Sequence, residues 1–286
     1  MKRFAACCCL FVNLLLTAHV ARAASQDTYT FAVVPYYSPE KIWTLFTPVV
    51  QYLTKTTGDK WQLQLYPNHA EFLNDVCNGK ISAAFTGPVP LARAYEACGA
   101  RPLLVALAPN GKPVYHSVFV SSDQSVRNLR DLKGKRVGFF KGSTAAHVVP
   151  VRMLKDAGVY MADLSPVFLG SQDKLVSALL TGDIAAAGIK ESLYQKVAHE
   201  KLHVLSRSES LPNFAVCALP TFPAKVRDRL VSSLLKLKPL TNGRDREFVS
   251  RWDDEVKHGF VTPDRDFLVG VFRIRDMFKD AGNGIR

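Results

Sequence analysis

The sequence predicts an α/β fold in two lobes, and three observations support this prediction. Short apolar segments alternate with amphipathic helical segments, which is the pattern that builds mostly parallel sheets. The alternation occurs in two successive series of similar size, and a helical tail follows them. The 286 residues contain neither an internal repeat nor a low-complexity segment, which argues against repeat and disordered architectures.

The first 23 residues are typical of a secretory signal peptide. Lys2 and Arg3 precede an apolar run over residues 4–16, and Ala-Arg-Ala at 21–23 fits a cleavage site made of small residues. The run is shorter than the roughly 20 residues that cross a bilayer, so an uncleaved anchor is the less favoured alternative. We therefore predict a signal peptide at residues 1–23 and a mature chain that works outside the cytoplasm.

The first series contains three short apolar or alternating segments, each followed by a helical pattern. Ser38 and Asn68 are residue types that cap helix starts, and Gly58 and Gly79 stand where the first two helical patterns end. The predicted strands are 29–34, 61–66 and 81–85, and the predicted helices begin after Ser38, Asn68 and the turn at 86–88. Two extended runs, 101–108 and 115–120, close the series.

The second series repeats this order after a short turn. Gly158 and Gly182 end two of its helical patterns. Its predicted strands are 136–140, 166–169 and 184–189, and its predicted helices are 143–157, 172–180 and 191–200. Beyond it, 204–206 and 213–219 are expected to be extended, and helices are expected over 223–237, 245–256 and 264–278.

These two series define the predicted lobes. Lobe 1 is assigned residues 24–119 together with 211–286, and lobe 2 residues 120–210. In open α/β sheets, ligands bind beyond the carboxyl ends of the strands, where helices begin. The loops expected to surround a cleft are therefore 35–38, 86–88, 141–144, 170–172 and 190–191.

The loop from Lys141 to Thr144 is the most informative of these segments. It leads from a strand through Gly142 to a helix that starts with two hydroxyl side chains, Ser143 and Thr144. Unpaired N–H groups at a helix start attract anions, and hydroxyl groups add further donors. Ser143 is also an ordinary capping residue, so the local sequence leaves both interpretations open. The spacing is not that of a nucleotide-binding P-loop.

Composition and motifs exclude several functions. The formal net charge is +12, which suits an anionic small molecule, an acidic partner or a membrane surface. The basic residues are scattered, so nucleic acid is not a predicted partner. Ser143 and His147 form the one pair spaced for nucleophilic catalysis, and no carboxylate is evident to orient it. No metal site and no cofactor are predicted.

Three cysteines follow the predicted signal peptide. Cys77 and Cys98 are closest in sequence, and we predict that they form a disulfide, which an oxidising compartment permits. Cys217 is left over. None of the cysteines has the spacing of a zinc, haem or thiol-redox motif.

Three further expectations concern aromatic and acidic residues. Tyr36 and Tyr37 alternate in direction if extended, so one of them should face the cleft. Trp43 belongs to an amphipathic helix and is expected in the core. Asp253 and Asp254 are expected on a helix and in contact with solvent.

Four segments together resemble the periplasmic solute-binding proteins related to the phosphonate-, phosphite- and phosphate-binding components of ABC transporters. Each motif is loose, but their order and spacing are specific, and they extend over most of the mature chain. The segments are PYYSPEKIWTLFTPVVQYLTKTTG (35–58), AAFTGPVPLARA (83–94), DLKGKRVGFFKGSTAAHVVPVRMLKDAGV (131–159) and FLGSQDKLVSALLTGDIAAAGIKESLY (168–194).

The resemblance implies a type II periplasmic binding protein fold, with mixed, mostly parallel sheets joined by a hinge. It also implies residues that surround a bound oxyanion. Carried onto matching positions, these are Tyr37, Ser38, Thr86, Ser143, Thr144, His147 and Lys190. The chain departs from the family at Leu91, where relatives often have tyrosine, and at Ala145, where they often have serine.

Lys190 is the departure with a chemical consequence. Relatives often have a polar or acidic residue near this position, and such a residue can accept a hydrogen bond from a protonated oxygen of the ligand. A lysine cannot accept one. We therefore hypothesise that Lys190 favours a fully ionised oxyanion, such as phosphate or arsenate, unless its side chain points to solvent.

The resemblance implies a periplasmic, monomeric binding protein without catalytic activity. It would capture a small tetrahedral oxyanion (phosphate, phosphonate, phosphite or an arsenic oxyanion) and present it to an ABC permease. Presentation to a sensor histidine kinase is the alternative. An extracytoplasmic phosphoester hydrolase is the less favoured third hypothesis.

Overall fold

The computed structural model describes residues 27–282, and it describes side chains as far as Met277. The predicted signal peptide lies outside these residues. The strands are β1 (Thr28–Val33), β2 (Lys60–Gln64), β3 (Ala83–Thr86), β4 (Arg101–Ala106), β5 (Val114–Tyr115), β6 (Ser117–Ser121), β7 (Arg136–Phe139), β8 (Ser165–Phe168), β9 (Ala186–Lys190), β10 (His203–Arg207), β11 (Leu211–Pro212), β12 (Ala215–Ala218) and β13 (Phe260–Val261).

The helices alternate with these strands along most of the chain. They are α1 (Pro39–Thr57), α2 (His69–Cys77), α3 (Pro88–Cys98), α4 (Val149–Asp156), α5 (Gln172–Leu180), α6 (Glu191–Val197), α7 (Ala224–Lys236), α8 (Gly243–Phe248) and α9 (Arg265–Gly282). A π-helical turn, Thr144–Val148, leads directly into α4. Within residues 27–282, no helix combines the length and the apolar character that a membrane crossing requires.

Lobe 1 is built on a six-stranded sheet with the order β13-β4-β12-β3-β1-β2. Strands β2, β1 and β3 run parallel, and β12, β4 and β13 are antiparallel to their neighbours. Because β12 pairs with both β3 and β4, the chain returns to lobe 1 after completing lobe 2.

Lobe 2 is built on a five-stranded sheet with the order β10-β6-β9-β7-β8. The predicted boundary between residues 119 and 120 is wrong, because it falls inside β6. All five residues of Ser117–Ser121 pair with β9, so lobe 2 begins at Ser117. Just outside this sheet, β5 and β11 pair with each other where the chain passes between the lobes.

The C-terminal helix α9 also departs from the predicted division. The sequence predicts it as part of lobe 1, but it contacts α3 of lobe 1 as well as α4 of lobe 2. The tail therefore bridges both lobes beside the crossing strands.

Helix α1 shows how periodicity positions the core. Ile42, Phe46 and Leu53 are buried against the lobe 1 sheet. The expectation that Trp43 is a core residue is wrong, because its side chain is 54% exposed. One residue along a helix turns the side chain by about 100°, which carries Trp43 away from the face of Ile42.

The segment after α8 differs most from its prediction. The helix expected over 245–256 ends at Phe248, and the chain continues in turns. These turns bury Asp253 and Glu255, so the expectation that Asp253 is solvated is also wrong.

The cysteines occupy two different environments. Cys77 at the end of α2 and Cys98 at the end of α3 are joined by a disulfide. Cys217 lies in β12 as a fully buried free thiol, and burial raises its pKa to about 12. A thiol with so high a pKa is not a reactive thiolate at neutral pH.

Candidate functional site

The starts of three helical segments meet between the two lobes. Helix α3 approaches from lobe 1, while the Thr144 turn and α5 approach from lobe 2. The cavity between them is about 10 Å³, close to what a single water requires. At this point the two lobes are therefore in direct contact. The cavity is lined by Val34, Tyr36, His69, Gly87, Pro90, Phe140, Ser143, Thr144, Ala145, Gln172 and Phe214.

Ser143 and Thr144 are the predicted site residues that line this cavity, and both hydroxyl groups are already hydrogen-bonded. Gly142 has a φ of 83°, a left-handed conformation that turns the chain toward the helix. Ser143 caps the turn, since its Oγ accepts from the Ala146 N–H at 3.2 Å. Thr144 Oγ1 accepts from the Val89 N–H of α3 at 3.0 Å. The Thr144 oxygen thus bonds to a helix start in the opposite lobe.

Tyr37, Ser38 and Thr86 are near the cleft but do not line the cavity. The ring of Tyr37 is buried beneath the Lys41 ammonium, whose Nζ lies 3.7 Å from the ring centroid. Ser38 caps α1 by accepting from the Lys41 N–H at 3.4 Å. Thr86 is buried at the end of β3. It is Tyr36 rather than Tyr37 that faces the cavity, as the alternation of the two residues allowed.

His147 lies outside the lining and supports the loop behind it. Its Nδ1 accepts from the Gly142 N–H at 3.3 Å. The ring makes T-shaped contacts with Phe139 and Phe168, and its Nε2 is buried without a hydrogen-bond partner. Burial, and then the charge of Lys141, lower the pKa of His147 to about 4. The histidine is therefore neutral at physiological pH.

Lys190 does not point to solvent, and it lines a neighbouring cavity of about 300 Å³ rather than the one that Thr144 lines. Its ammonium bonds to the carboxylate of Glu255 and donates to Asn213 Oδ1 at 2.8 Å. The rings of Tyr115 and Phe214 lie 4.2 and 4.1 Å from the same nitrogen. Burial lowers the pKa of Lys190, and the Glu255 charge opposes that shift. The lysine from lobe 2 is thus enclosed by groups of the other lobe and the crossing strands.

Asp253 is a buried acid that the sequence did not place near the cleft. Its Oδ1 accepts from the Tyr36 hydroxyl at 2.8 Å and from the Glu255 N–H at 2.9 Å, whereas its Oδ2 has no partner. Burial, and then the Glu255 charge, raise the pKa of Asp253 to about 6. Because the Tyr36 hydroxyl is hydrogen-bonded to this carboxyl group, Tyr36 contributes its ring rather than its hydroxyl group to the cavity.

His69, Phe140, Gln172 and Phe214 line the cavity and were not identified from the sequence as site residues. The sequence could have indicated Gln172, because the loop 170–172 was among those expected at the cleft. Its N–H donates to the Tyr36 carbonyl at 3.2 Å, and its Oε1 accepts from the Lys190 N–H at 3.2 Å. His69 follows the predicted cap Asn68, but nothing in its local sequence indicates that it faces lobe 2.

The described part of the chain offers no cluster of three or more histidine, cysteine or acidic side chains placed to bind a metal. The chemistry available at the cavity is hydrogen bonding from helix starts, hydroxyl groups and one imidazole, next to three aromatic rings. Such an arrangement can bind a small anion that carries an apolar group.

Two lobes with mixed sheets, joined at crossing strands and meeting at helix starts, define a type II periplasmic binding protein fold. The family described as "ABC transporter, phosphonate, periplasmic substrate-binding protein" matches residues 31–267. The chain belongs to this family of solute-binding proteins.

Solved structures share the fold at low sequence identity. A binding protein component of an ABC phosphonate transporter from Pseudomonas aeruginosa has a TM-score of 0.78 and 16% identity, with 90% of this chain and 88% of that chain covered. PhnD1 from Prochlorococcus marinus, in complex with methylphosphonate, has a TM-score of 0.78 and 14% identity, with 89% and 98% covered.

Among curated proteins, a putative aliphatic sulfonates-binding protein of Escherichia coli (strain K12) is 30% identical over 129 residues, which are 45% of this chain and 39% of that protein. The phosphonates-binding periplasmic protein of the same organism is 26% identical over 144 residues, 48% of this chain and 42% of that protein. The chain thus matches about two fifths of the length of each curated relative.

Proposed function

We propose that this chain is a periplasmic binding protein that captures a small organic phosphonate between its lobes and delivers it to an ABC importer. The observation that carries the proposal is the convergence of helix starts from both lobes on one cavity lined by aromatic rings. The signal peptide at residues 1–23 would export the protein, and the proposal includes no catalytic step.

The donors at the cavity suit a singly charged tetrahedral anion. Ser143, Thr144 and the Val89 N–H are neutral donors, and no lysine or arginine belongs to the lining. Lys190 is neutralised by Glu255, which removes the basis for the hypothesis that it selects fully ionised phosphate or arsenate. Neutral donors at helix starts stabilise one negative charge without a counter-ion.

The aromatic lining supports an organic substituent on the anion. Tyr36, Phe140 and Phe214 bring apolar ring surface to the cavity, and Tyr36 has committed its hydroxyl to Asp253. An alkyl group gains from contact with these rings, whereas inorganic phosphate would place oxygen atoms against them without hydrogen bonds.

Ligand entry requires the lobes to separate, because the cavity has room for about one water. The contact from Thr144 Oγ1 to the Val89 N–H is the one that a ligand oxygen can replace. An anion bound there would accept from Val89 and from the Thr144 hydroxyl together. When the lobes close on the ligand, the direct hydrogen bond between them is replaced by hydrogen bonds from both lobes to the anion.

An alkanesulfonate is the second candidate ligand. It has the same tetrahedral shape and single charge, and the neutral donors suit it equally. The 30% identity to a putative aliphatic sulfonates-binding protein supports an alkanesulfonate as this second candidate. For the partner, the ABC-transporter description of the family favours a permease over a sensor kinase.

Calorimetric titration of residues 24–286 tests the proposal. Methylphosphonate should bind more tightly than phosphate, and at 100 times its Kd it should stabilise the protein by about 2.7 kcal/mol. Thr144→Ala should weaken binding about tenfold, because a donor to the anion is lost. Thr144→Ser should retain affinity, and Thr181→Ala, outside the cleft, serves as the control. Tighter binding of phosphate or arsenate, or no binding of either organic anion, would refute the proposal.

A further inference from the structure

His69 carries an inference that rests on the proposed function and concerns the choice of ligand. It is the first residue of α2 in lobe 1, and its ring packs on Phe140 of lobe 2 with 5.0 Å between the ring centroids. It lines the cavity together with Ser143, Thr144 and Gln172. Both ring nitrogens are buried, and neither has a hydrogen-bond partner.

An imidazole with two unpaired nitrogens is unusual inside a protein, because buried polar groups are normally hydrogen-bonded. The other polar side chains that line the cavity all have partners. Tyr36 donates to Asp253, Ser143 and Thr144 accept from backbone N–H groups, and the Gln172 Oε1 accepts from Lys190. Among the polar side chains that line this cavity, His69 is therefore the one without any hydrogen-bond partner.

The protonation of the ring follows from its surroundings. Burial, and then the positive charge of Arg93 on α3, lower the pKa of His69 to about 4, so the ring is neutral near neutral pH. A neutral imidazole has one N–H and one lone pair. Nδ1 is the nitrogen beside Gly142, since a Cβ added to that glycine would lie 3.0 Å from it. The Gly142 N–H already donates to His147 Nδ1, so this backbone has no donor left for His69 Nδ1. A proton on Nδ1 is therefore favoured, and Nε2 is left as the acceptor.

We propose that His69 is a specificity-determining residue, which makes the cleft prefer a phosphonate monoanion to a sulfonate of the same shape and charge. A phosphonate monoanion carries a P–OH group, and this group can donate to the ring nitrogen that holds a lone pair. A sulfonate has no proton to donate. It would place an oxygen against that lone pair or force the ring to move its proton away from Gly142.

The test compares methylphosphonate with methanesulfonate on the protein from residue 24 to 286. Titrations at about pH 6 keep His69 neutral, and they keep much of the methylphosphonate as the monoanion. Wild-type protein should bind methylphosphonate the more tightly. In His69→Phe, which keeps a ring against Phe140, the ratio of the two Kd values should fall about tenfold, the effect of one hydrogen bond to a charged group.

Methanesulfonate is the internal control, because His69→Phe should bind it at least as tightly as wild type does. A misfolded variant would lose both ligands. His199→Phe makes the same substitution at an exposed position and should leave both affinities unchanged. An unchanged Kd ratio in His69→Phe, or an equal loss of both ligands, overturns this inference and leaves the proposed function standing. Wild-type protein that binds neither anion overturns both.

Discussion

The ammonium of Lys190 bonds to the carboxylate of Glu255 across the two lobes, and both side chains are buried. A second lysine also joins the lobes, since Lys41 Nζ lies 2.6 Å from Asp173 Oδ1. That pair is partly solvated, with side chains 39% and 33% exposed. Both pairs join a lysine to a carboxylate, but they differ in burial. Measuring the stability that each pair contributes therefore tests the effect of burial.

Lys190→Met should lower the free energy of unfolding by about 3 to 5 kcal/mol, because it leaves the Glu255 carboxylate buried without its counter-ion. Ser192, which donates to the same carboxylate at 2.8 Å, compensates only in part. Lys41→Met should cost at most about 1 kcal/mol, as expected for an exposed pair. Urea unfolding of the two variants beside wild type provides the comparison.

The double variant Lys190→Met/Glu255→Gln separates the loss of the pair from the burial of an unpaired charge. It should be more stable than Lys190→Met alone, since no isolated charge remains. Equal costs for Lys190→Met and Lys41→Met would contradict the role of burial. A double variant as unstable as the single one would indicate that packing, rather than charge, holds this contact.

The two lysines also show what the sequence can and cannot reveal. The alternation of strands and helices, with glycines at helix ends, indicated the α/β fold and the loops at the cleft. The caps Ser38, Asn68 and Ser143 were visible as local patterns. Local patterns do not reveal a partner 65 residues away, which is the separation of Lys190 from Glu255. The role of Lys190 was therefore beyond sequence reasoning.

Asp253 and His69 were missed for the same physical reason. A short polar segment without a periodic pattern of apolar residues is predicted to be exposed to solvent. The turns after α8 nevertheless bury Asp253 against Tyr36. His69 begins an ordinary amphipathic helix, and it becomes part of the cleft only because lobe 2 packs against it. Contacts between lobes depend on tertiary packing, which leaves no local periodicity.

Asp253→Asn should change how stability depends on pH. The pKa of Asp253 rises from an ordinary 3.8 to about 6 in the folded protein. Between these values the folded state holds a proton that the unfolded chain releases, so this carboxyl contributes stability at low pH that is lost as the pH rises toward 6. Relative to the variant, wild type should gain up to about 3 kcal/mol as the pH falls from about 6 to about 4.

Urea unfolding of wild type and Asp253→Asn across this range measures the difference. His69 and His147, whose pKa values are lowered to about 4, act in the opposite direction, since each must take up a proton when the chain unfolds. Both histidines are present in the two proteins, so their effects cancel in the comparison. A difference that does not vary with pH would exclude a raised pKa at Asp253.

The disulfide should make a separate contribution to stability. Cys77 and Cys98 are 21 residues apart, and removing both as Cys77→Ala/Cys98→Ala should cost about 3 kcal/mol by freeing that loop in the unfolded chain.

In the folded protein from residue 24 onward, Cys217 should not react with a thiol reagent at neutral pH, because it is buried and its pKa is raised to about 12. Denaturation without reductant should expose one reactive thiol. Three reactive thiols would show that the disulfide is absent.

Gly188 is the point at which β9 supports the helix start of the site. A Cβ at this position would lie 2.1 Å from Pro150 Cγ and 3.1 Å from the Ala145 carbonyl oxygen. That carbonyl cannot withdraw freely, since it accepts from the Ser117 hydroxyl at 2.7 Å. Gly188→Ala must therefore displace the Thr144 turn or the strand beneath it.

We expect Gly188→Ala to cost about 1 to 3 kcal/mol of stability by overpacking, and to weaken ligand binding as well, because the displaced turn carries the donors. Gly243→Ala is the matched control. It lies at the start of α8 with nothing within 4 Å of an added Cβ, and its φ is not positive. That change should be neutral or stabilising by up to about 1 kcal/mol. Urea unfolding and ligand titration of both variants check the result. If Gly188→Ala matched Gly243→Ala in stability and affinity, the close contact between β9 and Pro150 would not be what positions the Thr144 turn.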